Sequence, residues 1–244
     1  MRFAALVGRN LKEAWRDPLS VGVTIALPVG LMAILAFLGS QLGENAPQLS
    51  AASLVPGVAL FGFAMLVFSS GYLLARDREN ALLARLLTAP LTSTDFISAY
   101  SLPYLPVALV QIALIFAVGA FFNLEIVGSA ALAVLVLLVM AIGYIGLGML
   151  LGSLLTSKQV GMTYAIVLLP TIFSGTWFEL ELFGEGFATA MNMLPFAHAL
   201  DAARDVMVGG AGFAEIAGDF YWVLGYAVAF FALGVFAFWR KMTE

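Results

Sequence analysis

The sequence predicts an all-α, polytopic membrane protein: six transmembrane helices preceded by an amphipathic helix at the membrane surface. Three observations carry this expectation. Only 11% of the 244 residues are charged and 62% are hydrophobic, whereas ordinary soluble domains are roughly 25% charged. Mean hydropathy is +1.02. The apolar residues also fall in runs of about 20, the length a helix needs to cross a hydrocarbon core, and not in the alternation of a transmembrane barrel. So little charge cannot cover a water-soluble globule. Soluble enzymes, disordered tails and nucleic-acid binders are therefore excluded. With no cysteine, a disulfide framework or thiolate metal site is excluded too.

The first element is residues 1–18. Phe3, Val7, Leu11 and Trp15 recur every fourth residue, and Ala4, Leu6 and Ala14 widen their face. Arg2, Arg9, Lys12, Glu13 and Arg16 fall on the opposite side of the wheel. This pattern predicts a helix lying along the inner leaflet, its basic face toward anionic headgroups or an acidic partner. Asp17-Pro18 breaks it before the first span.

Six uncharged stretches follow: Leu19–Leu38, Leu54–Ala75, Leu102–Phe122, Gly128–Leu151, Gln159–Trp177 and Phe220–Trp239. The first reads as a retained helix, because its leading segment and apolar core are both long for a cleaved signal. Pro103 and Pro106 sit where the third span begins, and proline is tolerated there. Pro170 and Gly175 predict that the fifth span kinks or ends early. Gly148-x-x-x-Gly152 opens a smooth face on the fourth span, more suited to packing within the chain than to a dimer seam. Between the spans lie an inner segment, 76–95, and an outer one, 178–219. All belong to one transmembrane domain, 1–244.

Placing the N-terminus in the cytoplasm puts Arg2, Arg9, Lys12, Arg16, Arg76, Arg78, Arg85, Lys158, Arg240 and Lys241 inside. Of the eleven basic residues, only Arg204 falls outside. The positive-inside rule thus predicts a multi-pass protein of the cytoplasmic (inner) membrane with both termini in the cytoplasm. His198, the single histidine, is placed outside and reads as structural; no metal is assigned.

No Asp, Glu, Lys, Arg or His lies within the six spans, which argues against a proton-coupled carrier. Sodium held by carbonyls at broken helices remains an alternative, as does an ATPase-independent channel. None of the three lysines stands in a G-x-x-x-x-G-K-[ST] phosphate loop. Active transport would need energy from another protein gripping the inner segments.

The inner segment starts with Arg76-Asp77-Arg78-Glu79, continues through the stripe Leu82, Leu83, Leu86 and Leu87, and stops at Pro90. Thr92, Ser93, Thr94 and Asp95 offer N-caps for the next helix. It resembles the second inner segment of the type-2 ABC (ATP-binding-cassette) exporter permeases, R-E-R-E-x-G-T-x-E-R-L-L-x-x-P. Arg76, Asp77, Arg78, Glu79, Leu83, Arg85, Leu86, Leu87 and Pro90 fit this pattern; Ala81, Leu82 and Ala84 replace its Gly, Thr and second Glu. Leu54-Val55-Pro56-Gly57 resembles the family's L-x-P-G. The block from Phe173-Ser174-Gly175-Thr176-Trp177 through Leu194-Pro195 to Arg204 is similar to its stretch after the fifth span.

The resemblance implies a drug- or antibiotic-efflux-like exporter subunit working with a second permease copy or paralogue and two cytoplasmic ATPase subunits. ATP and magnesium would be bound on those partners, so this chain would carry no cofactor and no catalytic residue. Arg9, Lys12, Arg16, Arg76, Asp77, Arg78, Glu79, Arg85, Leu86, Leu87 and Pro90 would dock the ATPase. Short re-entrant outer helices after the fifth span would cap the exit, with Gly175, Trp177, Phe178, Glu179 and Pro195 at an outer gate.

Overall fold

The computed structural model describes residues 2–16, 18–43, 46–80, 91–177 and 180–243. Among them all regular structure is helical: α1 (Arg2–Arg16), α2 (Pro18–Leu42), α3 (Ala51–Glu79), α4 (Ser93–Ser101), α5 (Tyr104–Phe121), α6 (Ala130–Leu154), α7 (Ser157–Ile172), α8 (Glu185–Asn192), α9 (Pro195–Met207) and α10 (Phe213–Thr243). Short 3-10 turns span Pro47–Leu49 and Leu180–Phe183.

Helix α3 is the hub. It packs against α2, α5, α6, α7 and α9. Its apolar residues go all the way round, so no polar stripe marks a solvent face. Val55, Val58, Leu60, Phe63, Leu66 and Leu74 are correspondingly buried. On one side α6 lies against α3, and α10 packs along α6. On the other, α2 packs against both α3 and α5.

Glycines bring α3 and α6 into backbone contact. A Cβ at Gly152 would lie 2.5 Å from the Gly71 carbonyl oxygen, and one at Gly71 would lie 2.6 Å from that of Gly148. The expected Gly148-x-x-x-Gly152 face is thus used inside the chain, against a glycine of α3.

Five helical segments are long and apolar enough to cross a membrane: Val21–Leu42, Ala51–Glu79, Ser93–Phe121, Ala130–Leu154 and Phe213–Lys241. The expected six-span count thus meets five such segments and one shorter helix. That helix, α7, has 16 residues, or about 24 Å at 1.5 Å per residue, against a core of about 30 Å. It ends at Ile172 soon after Pro170, and Gly175 turns the chain at φ +89°. The early end read from Pro170 and Gly175 is present.

Several boundaries differ from the hydropathy reading. Helix α3 continues through Arg76–Glu79 instead of ending at Ala75, because each of those charges finds a partner. Helix α10 begins at Phe213, two turns before the apolar run. The capping signal before the third span is realised: the Thr92 side chain accepts the Asp95 N–H and Asp95 accepts the Thr92 N–H.

Candidate functional site

The last turn of α3 carries four consecutive charges. Successive helical side chains diverge by about 100°, so Arg76, Asp77, Arg78 and Glu79 point four ways and reach four different helices. Arg76 Nη2 donates to Glu13 Oε1 of α1 at 2.7 Å. Asp77 is buried, 2% exposed; it pairs with Arg9 of α1 and accepts the Tyr100 hydroxyl of α4 at 2.9 Å. Arg78 Nη1 donates to the carbonyl oxygens of Gly152 (2.6 Å) and Leu155 (3.4 Å), at the C-terminal end of α6. Glu79 accepts the Ser157 N–H at 2.9 Å and its hydroxyl at 2.6 Å, satisfying the N-terminus of α7.

Helix α1 has three faces, one of which seats against the bundle. Leu6, Asn10 and Ala14, one turn apart, are buried against the bundle. Asn10 Nδ2 donates to the Ala99 carbonyl at 3.1 Å, while its Oδ1 accepts from Arg9 at 2.8 Å. Leu11 and Trp15 are exposed on an apolar face. Lys12 and Arg16 are exposed on a basic one. The two-sided wheel of the sequence reading is therefore corrected: Arg9 turns inward to Asp77, and a third, protein-facing side runs through Asn10. Burial alone would lower the Arg9 guanidinium, but the hydrogen bond and charge of Asp77 outweigh it and raise the group above its ordinary value.

The residues expected to dock a partner thus divide. Arg9, Arg76, Asp77, Arg78 and Glu79 are gathered into one network with partners inside the chain. Lys12 and Arg16 face outward beside it. Arg85, Leu86, Leu87 and Pro90 lie outside the described residues.

At the opposite end, Arg204 of α9 holds the turn that follows α7. Its Nη1 donates to the Gly175 carbonyl (2.8 Å), Nη2 to that of Thr176 (3.1 Å), and Nε to that of Ser53 (3.3 Å). Gly57 makes room for this turn, since a Cβ there would meet Thr176 Cγ2 at 2.6 Å. That is the physical content of the L-x-P-G motif. Of the expected outer-gate residues, Gly175 forms the turn, Trp177 packs against the core and Pro195 opens α9, buried. Phe178 and Glu179 lie outside the described residues. His198 bridges three elements: Nδ1 meets Asp219 of α10 at 2.6 Å and Nε2 meets the Asn192 carbonyl at 2.8 Å. Among the described residues no group of three His, Cys, Asp or Glu comes together for a metal.

Asn10, Tyr100 and Ser157 were missed by sequence reasoning. Asn10 had a signal, a lone amide at i+4 between Leu6 and Ala14. Tyr100 and Ser157 had none, since nothing local reveals that they face Asp77 and Glu79.

An all-helical bundle with several long apolar helices defines a multi-pass membrane protein. More particularly, the chain belongs to the ABC-2 type transporter family, whose sequence profile matches residues 1–208. It is similar to ABC transporter G family member 20 of Dictyostelium discoideum, 26% identical over 194 residues, 77% of this chain and 27% of that protein. It is also similar to two proteins of Escherichia coli (strain K12). One is the probable multidrug ABC transporter permease YbhR, 26% identical over 170 residues, 68% of this chain and 46% of that one. The other is the inner membrane transport permease YhhJ, 25% identical over 173 residues, 69% and 46%. The matched region spans less than half the length of each of these relatives.

Proposed function

We propose that this chain is the membrane-spanning permease of an ABC exporter. In this reading the charged end faces the cytoplasm and binds a separate ATPase, present in two copies, while a second permease copy completes the pore. The observation that carries it is the four-way turn Arg76–Glu79. A push on α1 or on the segment after Glu79 reaches α3, α4, α6 and α7 through direct polar contacts, beside the outward-facing Lys12 and Arg16.

The cargo is an amphiphile of drug-, antibiotic- or lipid-like character. A lateral cleft of about 500 Å³ between α2, α3 and α7 supports this. Phe68, Met65 and Tyr164 supply apolar and aromatic walls; Thr24 and Ser69 supply hydroxyls, and Gly161 leaves room. That mixture suits such a molecule. Met162, Ile166 and Leu169 are exposed along one side of α7, where a second copy would seat.

The test is reconstitution in liposomes with a candidate ATPase. Drug-stimulated ATP hydrolysis and ATP-dependent cargo movement are expected, both lost with Lys12→Glu/Arg16→Glu through failed association. Full transport by this chain alone would instead establish a channel or ion-coupled carrier.

A further inference from the structure

We propose that water enters the bundle as a narrow wedge between α2, α3 and α5, from the charged end up to Gln111. Its walls share Thr24 and Ser69 with the cargo cleft, and it does not depend on the ATPase.

Gln111 lies midway along α5 and is fully buried. Neither its amide nitrogen nor its oxygen has a hydrogen-bond partner among the described residues. In a dry apolar setting such a group costs several kcal/mol, so a polar ligand is called for. The amide is pressed against Gly62 of α3: a Cβ there would lie 1.5 Å from Gln111 Nε2 and 2.9 Å from Pro28 Cγ of α2. Three helices therefore converge on it, and Pro28 removes one N–H from the α2 ladder at that level.

A path leads there. One to two turns toward the charged end, each helix contributes to the wall of a cavity of about 50 Å³: Val107 and Tyr104 from α5, Thr24 from α2 and Ser69 from α3. That is room for a few water molecules. The walls offer them partners: Thr24 Oγ1 lies 3.4 Å from Ser69 Oγ, and the Tyr104 hydroxyl donates to the Ser69 carbonyl at 2.8 Å. Glu13 and Arg76, joined at 2.7 Å, line the same cavity at its charged end. They form its door. An acyl chain could fill the space but would leave Gln111 unsatisfied; water satisfies both ends of the amide. The wedge lets α2 part from α3 and α5 at its charged half without wetting a dry seam.

The chain has no cysteine, so single-cysteine variants of the full protein in membranes need no altered background. The variants are Ser69→Cys, Gln111→Cys, the dry-core Phe63→Cys and the lipid-facing Leu109→Cys. The probe is a small methanethiosulfonate ammonium reagent applied from the charged side. Ser69→Cys and Gln111→Cys should react roughly tenfold or more faster than the two controls, because the reactive thiolate forms only where water reaches. Adding Glu13→Gln should speed both. A Gln111→Cys rate no higher than Phe63→Cys overturns the proposal. If Gln111→Cys does not fold, radiolytic hydroxyl footprinting of the unaltered protein decides. Tyr104, 4% exposed, should be labelled well above Phe96, 1% exposed, and equal labelling overturns the wedge.

Discussion

Glu79, the last residue of α3, accepts both the backbone N–H and the hydroxyl of Ser157, the first residue of α7. Seventy-eight positions apart in sequence, the two lock the end of one helix to the start of another. The contact acts as an N-cap supplied from outside the helix, added to the local box of Thr156 and Gln159. Glu79→Ala should therefore leave α7 helical but loosen it from α3. Faster hydrogen exchange at 157–160, with α3 unchanged, is the expected result. A double-mutant cycle with Ser157→Ala should show strong coupling.

The Arg9–Asp77 pair predicts an asymmetry. Removing Arg9 leaves a buried carboxylate supported by Tyr100 and, at longer range, Arg76. Arg9→Ala should cost on the order of 3 kcal/mol, as for other broken buried pairs. Replacing both partners by apolar residues of similar size, Arg9→Met with Asp77→Leu, should cost much less. Thermal unfolding in detergent measures both.

The glycine seam between α3 and α6 predicts a position-dependent alanine series. Gly148→Ala and Gly152→Ala push a methyl group into backbone atoms of α3, which cannot move aside as a side chain can. A loss of about 3 kcal/mol or more is expected, at the upper end of overpacking costs. Gly143→Ala meets its nearest neighbour at 3.6 Å and should be tolerated.

Arg204 predicts a local effect at the other end. Arg204→Lys keeps the charge but loses the planar fork that serves three carbonyls at once. The turn 173–177 should gain exchange and protease sensitivity, at a cost of about 1–3 kcal/mol for its unpaired carbonyls. The charged turn 76–79 should be unaffected.

What was legible in the sequence follows from the range of the interactions involved. The apolar runs, the Thr92–Asp95 cap and the stop after Pro170 are local, and local patterns report them. The extension of α3 to Glu79 was not legible. Hydropathy ends a span at its first charge, whereas these charges find ion-pair or hydrogen-bond partners up to 78 positions away. A separation of 68 positions hid the partner of Arg9: its place on the wheel suggested a headgroup or a partner protein, and only the fold shows Asp77 beneath it. Gln111, a lone amide in an apolar run, was missed. Its lack of a partner became meaningful only once Gly62 and Pro28 were seen against it.

The contact of α3 with α6 through Gly71, Gly148 and Gly152 also has a mechanical meaning. Two rods meshed backbone to backbone cannot slide or roll past one another without colliding. They form the stator of this molecule, with α10 bolted along α6. Moving parts must then be found among the helices joined to it by side chains, namely α2 along its wetted flank and the short, outward-facing α7.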